Sequence, residues 1–392
     1  MKLRHGRHLA YCTNIHRGES WPEVLAALEH HTLAVRTRVL GHAETPFAIG
    51  LRLSARAARE LADPRQLTAF RHWLDRHHAY VFTINGFPFG QFHGTRVKEQ
   101  VYQPDWTHPE RVEYTNLLFD ILGEIVPAGI DGSVSTAPVS FKAFNPDSRA
   151  LRTTRENLWQ AIEHVERVAR LTGRRLHLGL EPEPLCTLET TAEAVEFFGQ
   201  MREDRPGDLR IEEHLGINYD CCHLAIEFEN AAEALGRLRQ HRILISKIHL
   251  SNALRVHPTP DTRQALAAFT EDTYLHQVVQ RGPDGALRRF QDLPDALAAT
   301  DASQPAGDHE WRIHFHVPLH HRPSSRFETT SDHVGATLDW LASNPGIAPH
   351  LEMETYTWEV LPPDLKARGV VDQLAAEYDW TLTELKARGL GM

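Results

Sequence analysis

The chain has 392 residues, and its 42 Lys and Arg against 52 Asp and Glu give a formal charge of −10 when every His is neutral. This balance disfavours a nucleic-acid partner, because a phosphate backbone is bound by a positively charged face. No stretch approaches the roughly 18 uninterrupted apolar residues that a membrane span needs, so we expect a soluble protein without a membrane span.

The amino-terminal segment MKLRHGRHLAYCTN reaches the polar residues Thr13 and Asn14 early. A secretory signal would need an apolar region of about 7–15 residues at this place. We therefore expect a cytoplasmic protein. Its four cysteines are too few for a disulfide framework in so long a chain, which agrees with that location.

Short apolar runs recur along the chain, and most are followed by an amphipathic helical stretch. The eight predicted strands are LAYCTNI from Leu9, FAIGLRL from Phe47, AYVFTING from Ala79, DGSVSTAP from Asp131, LHLGLEPEP from Leu176, LGINYDCCH from Leu215, ILISKIHLSN from Ile243 and HLEMETYTW from His350. The first six are followed by predicted helices that start near Trp21, Ser54, Arg111, Glu156, Thr191 and Asn230. This alternation is typical of a parallel sheet.

The interval between the seventh and eighth predicted strands is much longer than the others, which indicates an insertion at about 254–330. Within it we predict a helix at QALAAFTED, a hairpin that turns at Gly282-Pro283-Asp284-Gly285, and a strand-like piece, WRIHFHVPLHH. HVGATLDWLAS then supplies the seventh helix, and a closing helix follows near VVDQLAAEYDWTLTELKARGL. Because the insertion leaves the carboxyl end of a barrel strand, we expect it to lie over the carboxyl-terminal face.

Eight strands with intervening helices predict an α/β fold, a (β/α)8 TIM barrel, as a single domain over residues 1–392. The structural alternative is an open doubly wound sheet. Its usual phosphate-binding turn, G-x-G-x-x-G, is absent after every predicted strand. The pattern therefore favours the barrel.

Ionisable residues end the last four predicted strands, where a TIM barrel places its active site. They are Glu181 and Glu183, Asp220 and His223, His249, and Glu352 and Glu354. Residues i and i+2 of a strand point to the same side, so the two members of each Glu pair differ in depth. We choose Glu181 because it directly follows the apolar LGL, and Glu354 because the strand should end there.

A single Glu or His at a strand end commonly faces solvent or caps a helix, and Asp220 alone could cap the helix that follows it. The same chemistry at four consecutive strand ends is harder to explain in that way. Three carboxylates buried together without a cation would repel one another. We therefore predict that Glu181, Asp220, His249 and Glu354 bind a divalent metal ion, and this oxygen-rich set suits Mn²⁺, Mg²⁺ or Co²⁺ more than Zn²⁺.

The motifs E-P-E, D-x-x-H and I-H-L-S, with a Glu on strand eight, resemble the xylose isomerase-like TIM-barrel superfamily. Sugar isomerases, ketose epimerases and the endonuclease IV branch belong to it. The resemblance implies the same four metal ligands, with His223 near the substrate or a second metal ion.

More narrowly, YCTNIHRGESW, INYDCCHLA, HFHVPLH and LEMETYTWEVLP together are similar to the EboE metabolite-traffic family of bacterial gene clusters. That resemblance implies an aromatic or isoprenoid small-molecule metabolite, and partner proteins encoded in the same cluster.

Endonuclease IV-like enzymes carry His after strands two and three, where this sequence has LRLS and INGF. They also carry Asp-x-His before strand eight, where His314-Phe315-His316 stands here. These departures disfavour phosphodiester cleavage. They favour a mononuclear or dinuclear centre.

Three hypotheses about function follow. The leading one is a metal-dependent isomerase, epimerase or related lyase that acts on a small hydroxylated carbonyl compound. In it Glu181 or Glu354 moves a proton and His223 positions a hydroxyl. The alternatives are a non-catalytic metabolite-binding or handover protein and a metal-dependent hydrolase of the endonuclease IV-like branch. The residues expected to contact the substrate are Asn14, His16, Asn85, His316 and Tyr356.

Overall fold

The computed structural model describes residues 1–41, 45–299, 309–321, 326–360 and 369–391. Residues 300–308 and 322–325 of the predicted insertion lie outside the described residues.

The described part of the chain contains thirteen strands. They are β1 (His8–Tyr11), β2 (Phe47–Arg52), β3 (Ala79–Asn85), β4 (Gly132–Thr136), β5 (Leu176–Leu180), β6 (Leu215–Asp220), β7 (Leu244–Leu250), β8 (Asn252–Val256), β9 (Val278–Arg281), β10 (Leu287–Phe290), β11 (Glu310–Val317), β12 (Glu328–Thr329) and β13 (His350–Met353).

The same part contains fourteen α-helices. They are α1 (Trp21–Ala27), α2 (Leu33–Leu40), α3 (Ala55–Leu61), α4 (Pro64–Arg76), α5 (Pro109–Ile125), α6 (Ser148–Thr172), α7 (Thr191–Asp204), α8 (Arg210–His214), α9 (Cys221–Ile226), α10 (Ala231–Gln240), α11 (Pro260–Leu266), α12 (Leu293–Ala299), α13 (Ser331–Ser343) and α14 (Val370–Ala387). No helix of the described residues is long and apolar enough to cross a membrane.

Eight strands form one sheet in the order β1-β13-β7-β6-β5-β4-β3-β2, and the paired strands are parallel. A parallel bridge between Cys12 and Gly50 links the two remaining edges, beyond the end of β1. Together with the alternating helices, this nearly closed sheet confirms the predicted (β/α)8 TIM barrel. The carboxyl ends of the eight strands share one mouth.

Several helices begin at side-chain caps, which the sequence carries at the expected places. Ser20 and Glu23 form a capping box at the start of α1, and Thr190 and Glu193 form another at the start of α7. Asp220 caps α9 by accepting a hydrogen bond from the backbone N–H of His223. The last residue of β6 is therefore fixed at the mouth of the barrel.

Gly50 on β2 is required by the packing of the barrel interior. A Cβ atom at this position would lie 1.7 Å from Oε1 of Glu352 and 2.7 Å from the carbonyl oxygen of Tyr11. Neither neighbour has room to move, because both are fully buried. The glycine therefore makes space for the Glu352 carboxylate inside the barrel.

The insertion after β7 contains an antiparallel sheet in the order β10-β9-β11-β8-β12. The predicted hairpin is β9 and β10, and the predicted strand-like piece is β11. The sequence prediction missed β8, because only Ser251 separates it from β7 and the predicted seventh strand had already taken Asn252 as its last residue. It also missed β12, which has two residues.

Arg289 of β10 ties the inserted sheet to the barrel. Its guanidinium lies 2.8 Å from Oε1 of Glu189, in the connection between β5 and α7, and it also contacts Glu227, which follows α9. Both partners belong to connections that leave the carboxyl ends of barrel strands. The inserted sheet is thus held on the side of the barrel where β5, β6 and β7 end.

Glu377 of α14 is buried where the closing helix meets the end of β13. Its Oε1 accepts hydrogen bonds from the backbone N–H of Leu319, at 3.0 Å, and from the Thr355 hydroxyl, at 2.8 Å. Burial outweighs these bonds and raises the pKa of Glu377 from 4.5 to about 7. A raised pKa stabilises the fold fully below the unfolded-state value, and this contribution is lost as the pH rises through the folded-state value.

We therefore expect Glu377→Gln to change how stability depends on pH. The variant does not titrate at this position, so its unfolding free energy relative to wild type should rise by about 3 kcal/mol between pH 4.5 and pH 8. Urea unfolding of both proteins across this range measures the difference. Two parallel pH profiles would show that Glu377 is already ionised at neutral pH in the folded protein.

Candidate metal centre

Four buried side chains meet at the carboxyl ends of four neighbouring barrel strands. Glu181 directly follows β5, Asp220 ends β6, His249 lies near the end of β7, and Glu354 directly follows β13. None of the four is more than 3% exposed. One ligand atom from each lies within 4.8 Å of the ligand atoms of the other three.

The three carboxylates surround one nitrogen of the imidazole. Nδ1 of His249 lies 3.3 Å from Oε1 of Glu181, 3.2 Å from Oδ2 of Asp220 and 3.0 Å from Oε2 of Glu354. A divalent ion bound at about 2.0–2.6 Å from each atom requires four ligand atoms this close together. The sequence reasoning had selected the same four residues.

The second oxygen of each carboxylate is held by a neighbouring donor. Asn218 donates to Oε2 of Glu181 at 2.6 Å, and the Ser251 hydroxyl donates to Oδ1 of Asp220 at 2.7 Å. Oε1 of Glu354 accepts hydrogen bonds from Asn14 at 2.7 Å and Asn85 at 3.1 Å. Each carboxylate therefore keeps one oxygen directed at the common point, in a fixed orientation.

Deeper in the barrel, Lys247 and Glu352 orient His249 through its other ring nitrogen, Nε2. Nζ of Lys247 lies 2.5 Å from Oε2 of Glu352, and the same oxygen lies 2.8 Å from Nε2 of His249. Burial alone would raise the pKa of Glu352, but the Lys247 charge and the hydrogen bond with His249 outweigh it and lower the pKa to about 2. An ionised Glu352 that accepts from Nε2–H leaves the Nδ1 lone pair free for a metal ion.

Neighbouring groups shift the pKa values of the residues at this centre. Burial would raise the pKa of Asp220, but His223 and the hydrogen bond with His249 hold it well below the usual value. Burial would lower the pKa of His249, but the neighbouring Glu354 charge raises it, so Nδ1 is protonated in the metal-free protein and a bound cation would displace that proton. Buried negative charge of this kind favours a bound cation.

Beside this centre lies a second cluster of three buried imidazoles. Nε2 of His314, on β11, is 3.1 Å from Nε2 of His223 and 3.1 Å from Nε2 of His316. Burial lowers the pKa of His223 to about 4, so its neutral form is favoured. The predicted alternation along β11 is observed, since Phe315 and Val317 pack on the opposite side in the apolar core of the insertion.

A cavity opens above the two clusters, and its wall is largely apolar and aromatic. Glu181, Glu183, His223, His314 and Glu354 lie at its polar end. The remaining lining residues are Asn14, Asn85, Phe87, Pro88, Phe92, Val97, Lys98, Val101, Tyr102, Tyr274, Leu275 and Tyr356.

Glu183 shares the cavity with Glu181 but has different partners. Its Oε1 accepts a hydrogen bond from the Tyr102 hydroxyl at 2.7 Å and one from Nε2 of Gln277 at 3.1 Å. Burial, with a further contribution from the Glu181 charge, raises the pKa of Glu183 to about 8. It lies beside the imidazole cluster and outside the group of four around His249.

The structure places three of the five predicted substrate contacts at the cavity: Asn14, Asn85 and Tyr356. His316 belongs to the imidazole cluster but does not line the cavity. His16 does not line this cavity. After β1 the chain makes a 3-10 turn at Thr13–Ile15, which carries Asn14 to Glu354 and His16 to Tyr11 and His31 outside the cavity.

Sequence reasoning overlooked several residues that build the site. Asn218 lies two positions before Asp220 on β6, so strand alternation could have placed it on the same side. Glu183 was considered and set aside in favour of Glu181. Tyr102 ends a 3-10 helix after β3 and Gln277 directly precedes β9, both far from the motifs, and no spacing pattern marks either residue.

No protein-family model matches the sequence, and no curated protein matches it. Solved structures do resemble it in fold. An L-ribulose 3-epimerase matches with a TM-score of 0.52 and 13% identity, over 99% of this chain and 96% of its own. An IolI protein described with a binding zinc atom matches with a TM-score of 0.51 and 13% identity, over 97% and 98% of the two chains.

A D-psicose 3-epimerase with D-tagatose from Clostridium cellulolyticum H10 matches with a TM-score of 0.50 and 12% identity, over 97% of this chain and 99% of its own. At such low identity the likeness concerns the fold. The chain shares the TIM-barrel fold of these structures, as its alternation of strands and helices predicted.

Proposed function

We propose that the protein is a metal-dependent isomerase or epimerase that acts on a small hydroxylated carbonyl compound. The observation that carries this proposal is the convergence on His249 Nδ1 of one oxygen from each of Glu181, Asp220 and Glu354. Three carboxylates and one imidazole suit Mn²⁺, Mg²⁺ or Co²⁺ more than Zn²⁺. When bound, such an ion polarises a substrate carbonyl.

The protein side chains supply the proton transfer. Isomerisation and epimerisation both require that a proton leave the carbon next to a carbonyl and return to the substrate. We assign this transfer to Oε1 of Glu181 or Oε2 of Glu354, since both side chains line the cavity and each has its other oxygen held by amide donors. We assign to His223 the positioning of a substrate hydroxyl.

The cavity wall indicates the kind of substrate. Phe87, Phe92, Tyr102, Tyr274 and Tyr356 form much of the wall above the polar end. A substrate with an apolar or aromatic portion would cover this wall better than a small sugar. This supports a metabolite-traffic protein of the EboE type. Each of the four segments that resemble EboE contributes a residue to the metal centre or its surroundings: Asp220 and Glu354 belong to the centre, Asn14 donates to Glu354, and His314 lies in the neighbouring imidazole cluster.

The hydrolase alternative has less support. β2 ends at Arg52, which pairs with Glu19, and β3 ends at Asn85, which donates to Glu354. Neither strand end offers the imidazole that the endonuclease IV branch places there. Two of the fold relatives are named as 3-epimerases of small sugars, which supports proton transfer as the chemistry.

Incubation in D₂O tests the proposal. The metal-loaded protein would be mixed with L-ribulose, D-psicose, D-tagatose and hydroxyketones that carry an aryl group, and proton NMR would follow the C–H signal next to the carbonyl. We expect that signal to disappear for at least one compound. We also expect the rate to fall by about 100-fold or more in Glu181→Gln, whereas His16→Gln, outside the cavity, retains exchange.

Binding of a compound without exchange would contradict the catalytic part of the proposal. It would favour the handover function, because a protein that only carries a metabolite needs no proton transfer. Calorimetry with the same compounds distinguishes these outcomes.

A further inference from the structure

The carboxyl group of Glu183 uses only one of its two oxygens for contacts inside the protein. Its Oε1 lies 2.7 Å from the Tyr102 hydroxyl, 3.1 Å from Nε2 of Gln277 and 3.5 Å from Nδ1 of His314. Within the part of the chain that the structure describes, its Oε2 has no hydrogen-bond partner. Glu183 is 5% exposed and lines the cavity, so Oε2 is the polar atom that this side chain offers to a bound molecule.

The hydrogen bonds to Oε1 of Glu183 have a fixed direction. The amide of Gln277 is oriented by the carbonyl oxygen of Pro184, an acceptor 3.4 Å from Nε2, and its own oxygen faces Nδ1 of His314 at 2.7 Å. Nε2 of Gln277 also lies 2.8 Å from the Tyr102 hydroxyl. A hydroxyl that accepts from this amide keeps its own hydrogen for Glu183. Oε1 therefore accepts from both Tyr102 and Gln277, and Oε2 remains for a ligand.

Apolar packing holds this group in place. The Tyr102 ring stacks on Phe141, with centroids 4.7 Å apart and planes 6° apart, and meets the Phe87 ring at 5.9 Å. Leu275 of the insertion belongs to the same buried cluster. A carboxyl oxygen that stays without a partner beside such neighbours is costly. A ligand that bonds to Oε2 would remove this cost, and the side chain is already ordered to receive it.

A hydroxyl group is the ligand chemistry that fits this oxygen. An anionic group would meet the carboxyl groups of Glu181, Glu183 and Glu354, which all lie at the polar end of the cavity. An ammonium group would be repelled by a cation in the metal centre. A hydroxyl group is neutral and both donates and accepts hydrogen bonds, so it bonds to a carboxyl oxygen whether or not that oxygen carries a proton.

This hydroxyl group belongs to a part of the substrate beyond the metal centre, because His223 lies between Glu181 and Glu183. Nδ1 of His223 is 3.9 Å from Oε1 of Glu181, and one of its nitrogens is within 4.8 Å of an oxygen of Glu183. A substrate that places its carbonyl and the adjacent hydroxyl at the metal centre therefore reaches Glu183 with a third oxygen.

We propose that Glu183 is a specificity-determining residue, which binds a further hydroxyl group one or two carbons beyond the two substrate oxygens at the metal centre. Tyr102 and Gln277 are its positioning residues. This inference rests on the proposed function, since it takes the same cavity as the substrate site. A site built to bond a hydroxyl group discriminates against the analogue that lacks it, because a buried polar atom of the protein then stays unpaired.

Calorimetry with the Mn²⁺-loaded, full-length protein tests the proposal. The parent compound is α-hydroxybutyrophenone, an aryl hydroxyketone, and its β-hydroxy and γ-hydroxy derivatives add one hydroxyl group at two distances from the carbonyl. We expect wild type to bind at least one derivative about 10–100-fold more tightly than the parent, the effect of satisfying one buried polar atom.

Four variants assign this preference to Glu183. Glu183→Leu should bind the parent and its derivatives equally, whereas Glu183→Gln, which keeps two polar atoms at this place, should retain part of the preference. Tyr102→Phe keeps the ring stacking and should lower the preference without changing the affinity for the parent. Glu377→Gln is the matched control and should keep the full preference, because Glu377 is a buried carboxyl group that bonds to Leu319 and Thr355 outside the cavity.

Equal affinity of wild type for all three compounds overturns the role of Glu183, and so does a hydroxyl preference that persists in Glu183→Leu. Either result leaves the proposed function standing if the compounds exchange protons with D₂O. A preference that depends on Glu183 but comes without any exchange would instead count against the isomerase and leave the role of Glu183 in place. Failure of all three compounds to bind overturns the substrate class assigned here.

Discussion

Replacing Glu354 with Gln should stabilise the metal-free protein and at the same time remove most of its stabilisation by Mn²⁺. The two effects have one cause. Glu181, Asp220 and Glu354 are buried together around a single imidazole, so their mutual repulsion destabilises the metal-free fold.

Gln keeps the shape of Glu354 and still accepts hydrogen bonds from Asn14 and Asn85, but it carries no charge. We expect the unfolding free energy of the metal-free variant to rise by about 1–2 kcal/mol, because relief of like-charge repulsion equivalent to one pKa unit is worth about 1.4 kcal/mol. The unfolding free energy of the wild type should rise by about 2.7 kcal/mol at a Mn²⁺ concentration 100 times the Kd. The unfolding free energy of Glu354→Gln should change little at the same Mn²⁺ concentration.

Urea unfolding in EDTA and in Mn²⁺ measures both effects, and the order of stability of the two proteins should invert between the two conditions. Glu377→Gln is the control, because Glu377 is also a buried carboxyl group but bonds to Leu319 and Thr355. That control should respond to Mn²⁺ as wild type does. If Glu354→Gln proves less stable than wild type in EDTA, the carboxylates are not in net repulsion and the argument for a cation fails.

Replacing Lys247 with Met should destabilise the protein by about 3–5 kcal/mol, the cost of removing one partner of a buried ion pair. Lys247 and Glu352 are both fully buried, and the lysine is also 3.0 Å from the Ser135 hydroxyl. Met fills nearly the same volume as Lys, so the lost stability reflects the removal of the charge and not a cavity. Glu352 would be left ionised in the barrel interior with His249 as its remaining partner.

The double variant Lys247→Met with Glu352→Gln should recover much of this loss, because a neutral amide can still accept from Nε2 of His249. Chemical unfolding of the wild type, both single variants and the double variant completes a thermodynamic cycle. If the double variant is as unstable as the sum of the singles, the two residues do not interact and the buried pair has been misassigned.

The barrel and the four residues around His249 could be predicted from the sequence for one physical reason. A parallel barrel brings the carboxyl ends of its strands to one mouth, so a local feature of each strand, its last polar residue, determines what meets there. This rule identifies Asp220 and His249, and it narrows the choice to Glu181 or Glu183 and to Glu352 or Glu354, which depth along the strand then separates. Predicting Asn218 would have required the same rule together with the alternation of side chains along β6.

The residues that were misplaced or overlooked depend on contacts that no local pattern encodes. Whether His16 or Asn14 turns toward the cavity is decided by a single 3-10 turn after β1. Gln277 reaches Tyr102 and Glu183 only because the inserted sheet packs where it does. β8 was missed because only Ser251 separates it from β7, so no turn sequence marks the start of a new strand.

The strand that closes the barrel is also the last to be made. β13 pairs with β1, so His350 lies beside His8 across almost the whole length of the chain. Glu354 follows β13 directly, so the four ligand residues come together only when β13 has joined the sheet. The binding free energy of a metal ion is therefore added only to a chain in which β13 has joined the sheet.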